Sequence, residues 1–175
     1  MPPMEIRPGT GEDVSFLRSM LFEAAFWRPT GERPPLDVGL AHPDLAKILE
    51  DWGQRPGDTA LIAVSQDGEP VGTAWYRFWR KDDHSYGFVD EQVPEIGISV
   101  VREARGQGVG GTLLAALIAQ AREDGLRALS LSVETENPAR KLYEKFGFRP
   151  QRAEFGSLIM VLDLGYDGAA TSWNG

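Results

Sequence analysis

Apolar positions change period several times along the chain, and each change marks an element. Residues 4–8 predict a short first strand. Thr10 with Asp13 three positions on forms a capping-box arrangement, and Val14, Leu17, Met20, Leu21 and Ala24 follow at helical spacing. Pro29, Pro34 and Pro35 then interrupt residues 26–39, which read as loop. A second helix is expected over 43–52, with Leu45, Ile48, Leu49 and Trp52 inward. Beyond it the period drops to two. Residues 59–65 and 71–79 predict two strands joined at Asp67-Gly68. On the second strand Trp75 and Trp79 share one face, Tyr76 and Phe78 the other.

Residues 80–92 are polar and read as loop. Residues 93–101 predict a strand with Ile96, Ile98 and Val100 on one face, and Gly97 in its middle suggests a bulge or the close approach of another backbone or a ligand. Leu113, Leu114, Leu117, Ile118 and Ala121 give the third helix one broad apolar face, and Gly125 follows its end. A strand is expected over 126–133. Asn137 then caps a short helix beginning at Pro138, with Ala139, Leu142, Tyr143 and Phe146 inward and Gly147 stopping it. Residues 148–155 and 158–164 complete the pattern as two strands. The order β-α-α-β-β-β-α-β-α-β-β predicts a mixed α/β fold, a sheet with helices on both faces around one core. Residues 1–164 read as one domain. Residues 165–175, with only Tyr166 and Trp173 to anchor them, read as a flexible tail.

Composition narrows the chemistry. The 175 residues carry a formal net charge of −8, which disfavours nucleic acid as a partner. There is no cysteine, so disulfides, thiolate metal sites and a cysteine nucleophile are excluded. No basic-then-apolar leader and no membrane-length apolar run is present, and the expected compartment is the cytoplasm, with no membrane partner. Two histidines far apart, without patterned carboxylates, predict no metal site.

Against that acidic background, Arg102 and Arg105 stand beside Gly106, Gly108, Gly110 and Gly111. The predicted strand runs into this turn and the third helix runs out of it. A helix start leaves N–H groups unpaired and favours an anion, and missing side chains let a phosphate reach the main chain. The turn therefore predicts a phosphate or pyrophosphate site. An ATPase-type phosphate loop fails, because no lysine followed by Ser or Thr closes the motif. Gly106, Gly108 and Gly111 do satisfy the dinucleotide pattern G-x-G-x-x-G, with Glu134 near the end of the next strand. The rest of the chain, one short helix and two adjacent strands, lacks the second set of crossovers that fold needs. A purely structural turn is the third reading, although four glycines in six residues make it costly in backbone entropy.

Here the sequence resembles the GCN5-related N-acetyltransferase (GNAT) superfamily. Arg105-Gly106-Gln107-Gly108-Val109-Gly110 is similar to the family's Gln/Arg-x-x-Gly-x-Gly/Ala signature, and residues 136–148 are similar to its Asn-x-x-Ala…Tyr-x-x-x-Gly-Phe segment. The resemblance implies a mostly antiparallel sheet of about seven strands, splayed between strands 4 and 5. It implies acetyl-CoA as cosubstrate, its pantetheine arm lying in the splay along Ile98, Ser99, Val100 and Val101. The cofactor would also meet Arg105, Gly106, Gln107, Gly108, Val109, Gly110, Gly111 and Thr112, with the main-chain N–H groups of Gln107, Gly108, Gly110 and Gly111 holding its pyrophosphate. Asn137 matches a position that often touches the cofactor, and serves equally as a plain helix cap.

The activity implied is direct acetyl transfer from acetyl-CoA to a primary amine of a small molecule or peptide, in a ternary complex. Such a reaction needs a neutral amine, a donor for the developing oxyanion and a proton for the departing thiolate, but no protein nucleophile. Tyr143 matches the family's general acid and also lines the cofactor site. Glu95 matches its general base, with Asp90 and Glu91 as nearby substitutes. Either residue also has a plain reading, Tyr143 as core aromatic and Glu95 as solvated charge. The acceptor pocket is expected from residues 23–29, 80–92 and the turn at Gly156. Phe26, Trp27, Trp75, Tyr76 and Trp79 are candidate walls, and His84 a candidate contact, while His42 is expected to begin the second helix. Asp82, Asp83, Asp90 and Glu91 would favour a cationic amine. The alternatives are a non-catalytic acyl-CoA-binding domain and, remotely, a dinucleotide-dependent oxidoreductase. A homodimer is compatible with the resemblance.

Overall fold

The computed structural model describes residues 4–165. The tail expected at 165–175, with Tyr166 and Trp173, therefore lies outside the described residues except for Gly165.

Seven strands form one sheet: β1 (Glu5–Pro8), β2 (Thr59–Val64), β3 (Pro70–Arg77), β4 (Glu95–Val100), β5 (Ala128–Glu134), β6 (Arg149–Glu154) and β7 (Ser157–Asp163). Their order is β1-β2-β3-β4-β5-β7-β6. Every neighbouring pair is antiparallel except β4 with β5, which is parallel. The helices are α1 (Val14–Ala25), α2 (Leu36–Leu40), α3 (Pro43–Leu49), α4 (Val109–Glu123) and α5 (Ala139–Lys145).

The alternating strand pattern sorts side chains into two cores. On one face, Leu61, Ala63, Ala74, Tyr76 and Ile96 pack with Leu113, Leu114 and Leu117 of α4 and with Tyr143 of α5. On the other, Ala60, Ile62 and Trp75 pack with Leu17, Leu21 and Phe22 of α1, Leu40 of α2 and Leu49 of α3. The predicted division of Trp75 from Tyr76 is thus the division between the two layers.

Local signals explain the ends. Thr10 and Asp13 form the capping box, opening a short 3-10 turn ahead of α1. Asp13 also holds Arg7 at 2.8 and 2.9 Å. The segment expected to be all loop contains α2, which starts directly after Pro35. A proline bars a helix before it, where its ring collides with the preceding turn, but its fixed φ suits the residue that opens one.

Gly97 is explained differently from the expectation. The β3–β4 register runs unbroken, with Trp75 opposite Gly97. A Cβ at Gly97 would stand 2.2 Å from Trp75 Cζ2 and 2.4 Å from Cε2. The indole, and not a bulge or another backbone, takes the space. Trp75 is buried, so a methyl at Gly97 can be accommodated only by displacing its ring. Gly97→Ala is therefore expected to cost about 1–3 kcal/mol in urea unfolding, the usual range for overpacking a filled core.

Candidate active site

Among the described residues, β4 and β5 pair only at Glu95 and Ser130, where the Ser130 N–H donates to Pro94 O at 3.0 Å. From there the two strands part. The β3–β4 pairing fixes which main-chain groups face the gap. Val101 N–H donates to Val71 O at 2.9 Å, so it is turned to β3, and alternation leaves the N–H and C=O of Ile98 and Val100 pointing toward β5. Val101, expected along the cofactor, thus has its amide committed elsewhere. Ser99 shares the orientation of Val101 but presents its buried side chain to the cleft. Unpaired strand edges of this kind accept an extended chain that carries amides of its own.

β4 leads through a 3-10 turn at 102–104 into the glycine turn and α4. Gly106 and Gly108 have φ of 75° and 84°, a left-handed backbone that favours glycine. Gly110 and Gly111 are different. A Cβ at Gly110 would meet Leu142 at 3.5 Å and Val100 at 3.9 Å, and one at Gly111 would meet Leu142 at 3.8 Å, which are ordinary contacts. The chain's own packing does not demand glycine at either place. Among the described residues, the N–H groups of 106–111 have no protein acceptor, and the first bond of the helix is Thr112 N–H to Gly108 O at 3.1 Å. Six adjacent donors at the mouth of a fifteen-residue helix fit a pyrophosphate.

The surrounding residues divide their work. Val109 buries its side chain in the core, so only its amide is available. Thr112 spends its hydroxyl on Gly108 O at 3.0 Å, and the Gln107 amide donates to Glu103 O at 3.2 Å. Arg105 braces the turn: Nε donates to Val100 O at 3.0 Å, and Nη2 lies 3.3 Å from Glu23. Asn137 caps α5 by accepting the Ala139 N–H at 2.9 Å, as expected, and also lines the cleft.

One continuous cavity of about 980 Å³ runs along the gap. Its lining includes Ile98, Ser99, Val100, Arg105, Gly110, Asn137 and Tyr143, and the aromatic residues Phe26, Trp27, Trp75, Trp79, His84 and Phe155. Glu95 lines it as well. Its Oε1 accepts the Gly87 N–H at 3.1 Å, while Oε2 is buried without a partner. Burial pushes its carboxyl up from 4.5 to about 7, against the opposing pull of the Gly87 amide, the Ser85 hydroxyl and Lys47. Tyr143 enters from α5 on the opposite side of the sheet, its ring edge-on to Phe148 at 5.8 Å. Burial raises its phenol well above the ordinary range.

A family model described as the acetyltransferase (GNAT) family matches residues 21–148 of this chain. The chain belongs to that family. Its GNAT fold is shared with yncA of Salmonella typhimurium, a structure containing its cofactor acetyl-CoA; the TM-score is 0.65 at 22% identity, covering 98% of this chain and 99% of that one. The chain is similar to a mycothiol acetyltransferase of Paenarthrobacter aurescens, at 35% identity over 121 residues, 65% of this chain and 34% of that one. It is also similar to an L-methionine sulfoximine/L-methionine sulfone acetyltransferase of Pseudomonas aeruginosa, at 35% over 99 residues, 56% and 55% of the two. The chain thus spans about a third to about half of these curated relatives.

Within this GNAT cleft some expectations about the acceptor end change. Asp82, Asp83, Asp90 and Glu91 do not line the cavity. Asp82 pairs with Arg80, Asp83 with Lys47 and Asp90 with Arg127, and Glu91 accepts the Lys81 N–H. They form no acidic mouth, because each is tied down within or beside its own loop. Tyr76 faces the α4 core and drops out of the candidate walls, its hydroxyl donating to Asp124. His42 caps α3 as expected, its Nδ1 accepting the Asp44 N–H at 3.3 Å, and also reaches the cavity. His84 stacks on Phe88 at 4.4 Å.

Arg77 and Lys47 are cleft residues outside the expected segments 23–29 and 80–92, and Arg28 lies within them but does not line the cavity. Arg77 lies opposite Glu95 in the β3–β4 register and forms a buried pair with Asp58 at 2.7 and 2.9 Å. Arg28 ties the end of α1 to Glu134 at 2.7 Å and Glu136 at 3.0 Å. Ser85, Tyr86 and Lys47 also line the cavity. The partners of Arg77 and Arg28 are 19 to 108 positions away, a separation that no local pattern encodes. Among the described residues no cluster of three or more metal-ligating side chains occurs, and no helix is long and apolar enough to cross a membrane.

Proposed function

We propose that the chain is an acetyl-CoA-dependent N-acetyltransferase that moves the acetyl group directly to a primary amine of a small molecule or peptide. The observation that carries this reading is a single cavity lined by Gly110, at a helix mouth whose amides of 106–111 have no protein acceptor among the described residues, and by a buried carboxylate and a buried phenol. When bound, acetyl-CoA supplies an activated acyl carbon and a thiolate leaving group. The chain's residues do the rest. The free amides of 106–111 hold the pyrophosphate, and Ile98 and Val100 align the arm along the gap. Glu95, titrating near 7, takes the proton that the amine loses as the N–C bond forms. Tyr143 gives its hydrogen toward sulfur as the C–S bond breaks.

Tyr143 stays protonated throughout the working pH range, since burial disfavours the phenolate. Its hydrogen therefore moves in concert with bond breaking and not ahead of it. Among the described residues its hydroxyl makes no hydrogen bond, so removing it strands no partner. Tyr143→Phe is expected to keep its acetyl-CoA affinity and thermal midpoint while turnover falls about a hundredfold. Thiol release measured against a panel of amines tests this. Unaltered turnover on a verified acceptor would take Tyr143 out of the chemistry.

The names of the relatives support small amino-acid-like or thiol-conjugate amines as first candidates for that panel. Aromatic walls at Phe26, Trp27, Trp75 and Trp79 suit an acceptor with an apolar flank. The cytoplasm remains the proposed compartment, and a homodimer the proposed assembly that size-exclusion chromatography would check.

A further inference from the structure

The turn between β6 and β7 holds a residue that its backbone disfavours. Phe155 and Gly156 alone separate the paired residues Glu154 and Ser157, with φ of 48° and 79°. A two-residue turn that is left-handed at both positions favours Asn, Asp or Gly at the first, and a bulky side chain there is strained. The other non-glycine with positive φ among the described residues is Asp51, a residue type that adopts it readily. The Phe155 ring gives the fold no compensating contact, since the residue is 99% exposed. The turn itself is fixed, because Gly156 O accepts the N–H and the hydroxyl of Thr135 at 3.1 and 3.3 Å. Strain held in place without an internal benefit points to a role outside the fold.

That role lies at the cleft. Phe155 lines the cavity, and a lining residue so exposed borders its opening. The large hydrophobic side chains exposed among the described residues are Val38, Tyr86 and Phe155, and the last two both line it. Strand register gives the side. Leu158 and Met160 of β7 pack in the α4 core, so Ser157 and Ile159, with Glu154 and Arg152 opposite them, face the layer of α1 and Trp75. All four line the cavity. Glu134, opposite Ser157, is held by Arg28, whose neighbour Trp27 also lines it. The hairpin thus meets the cavity on the sheet face away from α4 and its free amides. Charges beside it are paired, Arg152 with Glu154 and Arg28 with Glu134 and Glu136. β6 reads Arg-Pro-Gln-Arg-Ala-Glu and is exposed throughout, so a second copy of the chain would find little apolar surface along it.

We propose that Phe155 is a specificity-determining residue, its ring covering an apolar side group of the acceptor amine at the opening of the cleft. This rests on the acetyl-transfer reading above. The test compares the full chain with Phe155→Asn and Phe155→Leu, using glycinamide, leucinamide and phenylalaninamide as acceptors. The wild type is expected to favour the two apolar amides. In Phe155→Asn their KM should rise about tenfold, with glycinamide turnover and KM for acetyl-CoA unchanged. The thermal midpoint should rise by about 2–4 °C, because asparagine accepts the left-handed backbone. Phe155→Leu should keep most of the preference and the wild-type midpoint. A preference unchanged in Phe155→Asn overturns the proposal. So does the loss of a dimer on size-exclusion chromatography with the preference intact, which would place the ring in a subunit interface. If the wild type acetylates none of the amides, the functional reading fails and binding still decides the role of Phe155. Its backbone amide should then shift in NMR titration with phenylalaninamide and not with glycinamide, and an equal response to both, or none, overturns the proposal.

Discussion

Glu95→Gln is expected to lower kcat/KM at neutral pH by about a hundredfold and to abolish the rise in rate through pH 7. A positioned general base typically contributes that much or more. The wild-type profile should climb through about pH 7, because the carboxyl, lifted there by burial, must be ionised to accept the amine proton. Glutamine keeps the shape and can still accept the Gly87 N–H, so the loss is chemical and not a collapse of the loop. The same shift has a consequence for stability. Between about 4.5 and about 7 the folded chain holds a proton that the unfolded chain has lost, so this group makes stability fall as pH rises through that window. In Glu95→Gln that part of the pH dependence should be missing from denaturant unfolding curves. A variant with wild-type kcat/KM at pH 7 would remove Glu95 from the reaction.

Gly110→Asp separates binding from folding at the glycine turn. A side chain at Gly110 meets only ordinary contacts, and an aspartate in the first turn of a helix suits its dipole and improves on glycine's propensity. The thermal midpoint is therefore expected to hold or rise. Acetyl-CoA affinity should nevertheless drop about a hundredfold, because a carboxylate would sit among the free amides that the pyrophosphate needs. Calorimetric titration reads the affinity directly. Affinity unchanged beside an intact fold would mean that the phosphates lie elsewhere.

Local features are the ones legible in the sequence. The glycine turn, the capping box at Thr10 and the Asn137 cap depend on neighbours within a few positions, and all three are seen. Binary alternation separates Trp75 from Tyr76 and so assigns the two cores. The helix after Pro35 escapes such a reading because three prolines in a short stretch outweigh the apolar residues beyond them. Gly97 misleads because a glycine signals an approaching group without naming it, and Trp75 comes from the neighbouring strand. The acidic mouth fails for a related reason. Four carboxylates close in sequence look like one patch, yet each finds a cation or an amide in or beside its own loop. Glu95 and Tyr143 are marked by resemblance. Their burial and the raised carboxyl emerge only from elements that fold over them, above all the 84–87 loop, whose hold on Glu95 rests on tertiary packing.

The most direct test of cofactor binding at the helix mouth is an amide-resolved NMR titration of the chain with acetyl-CoA. One-to-one saturation is expected, with the largest shifts on the amides of Gly106, Gln107, Gly108, Val109, Gly110 and Gly111, and the next largest on those of Ile98 and Val100. Saturation that leaves those amides unmoved, or no binding at all, would contradict it.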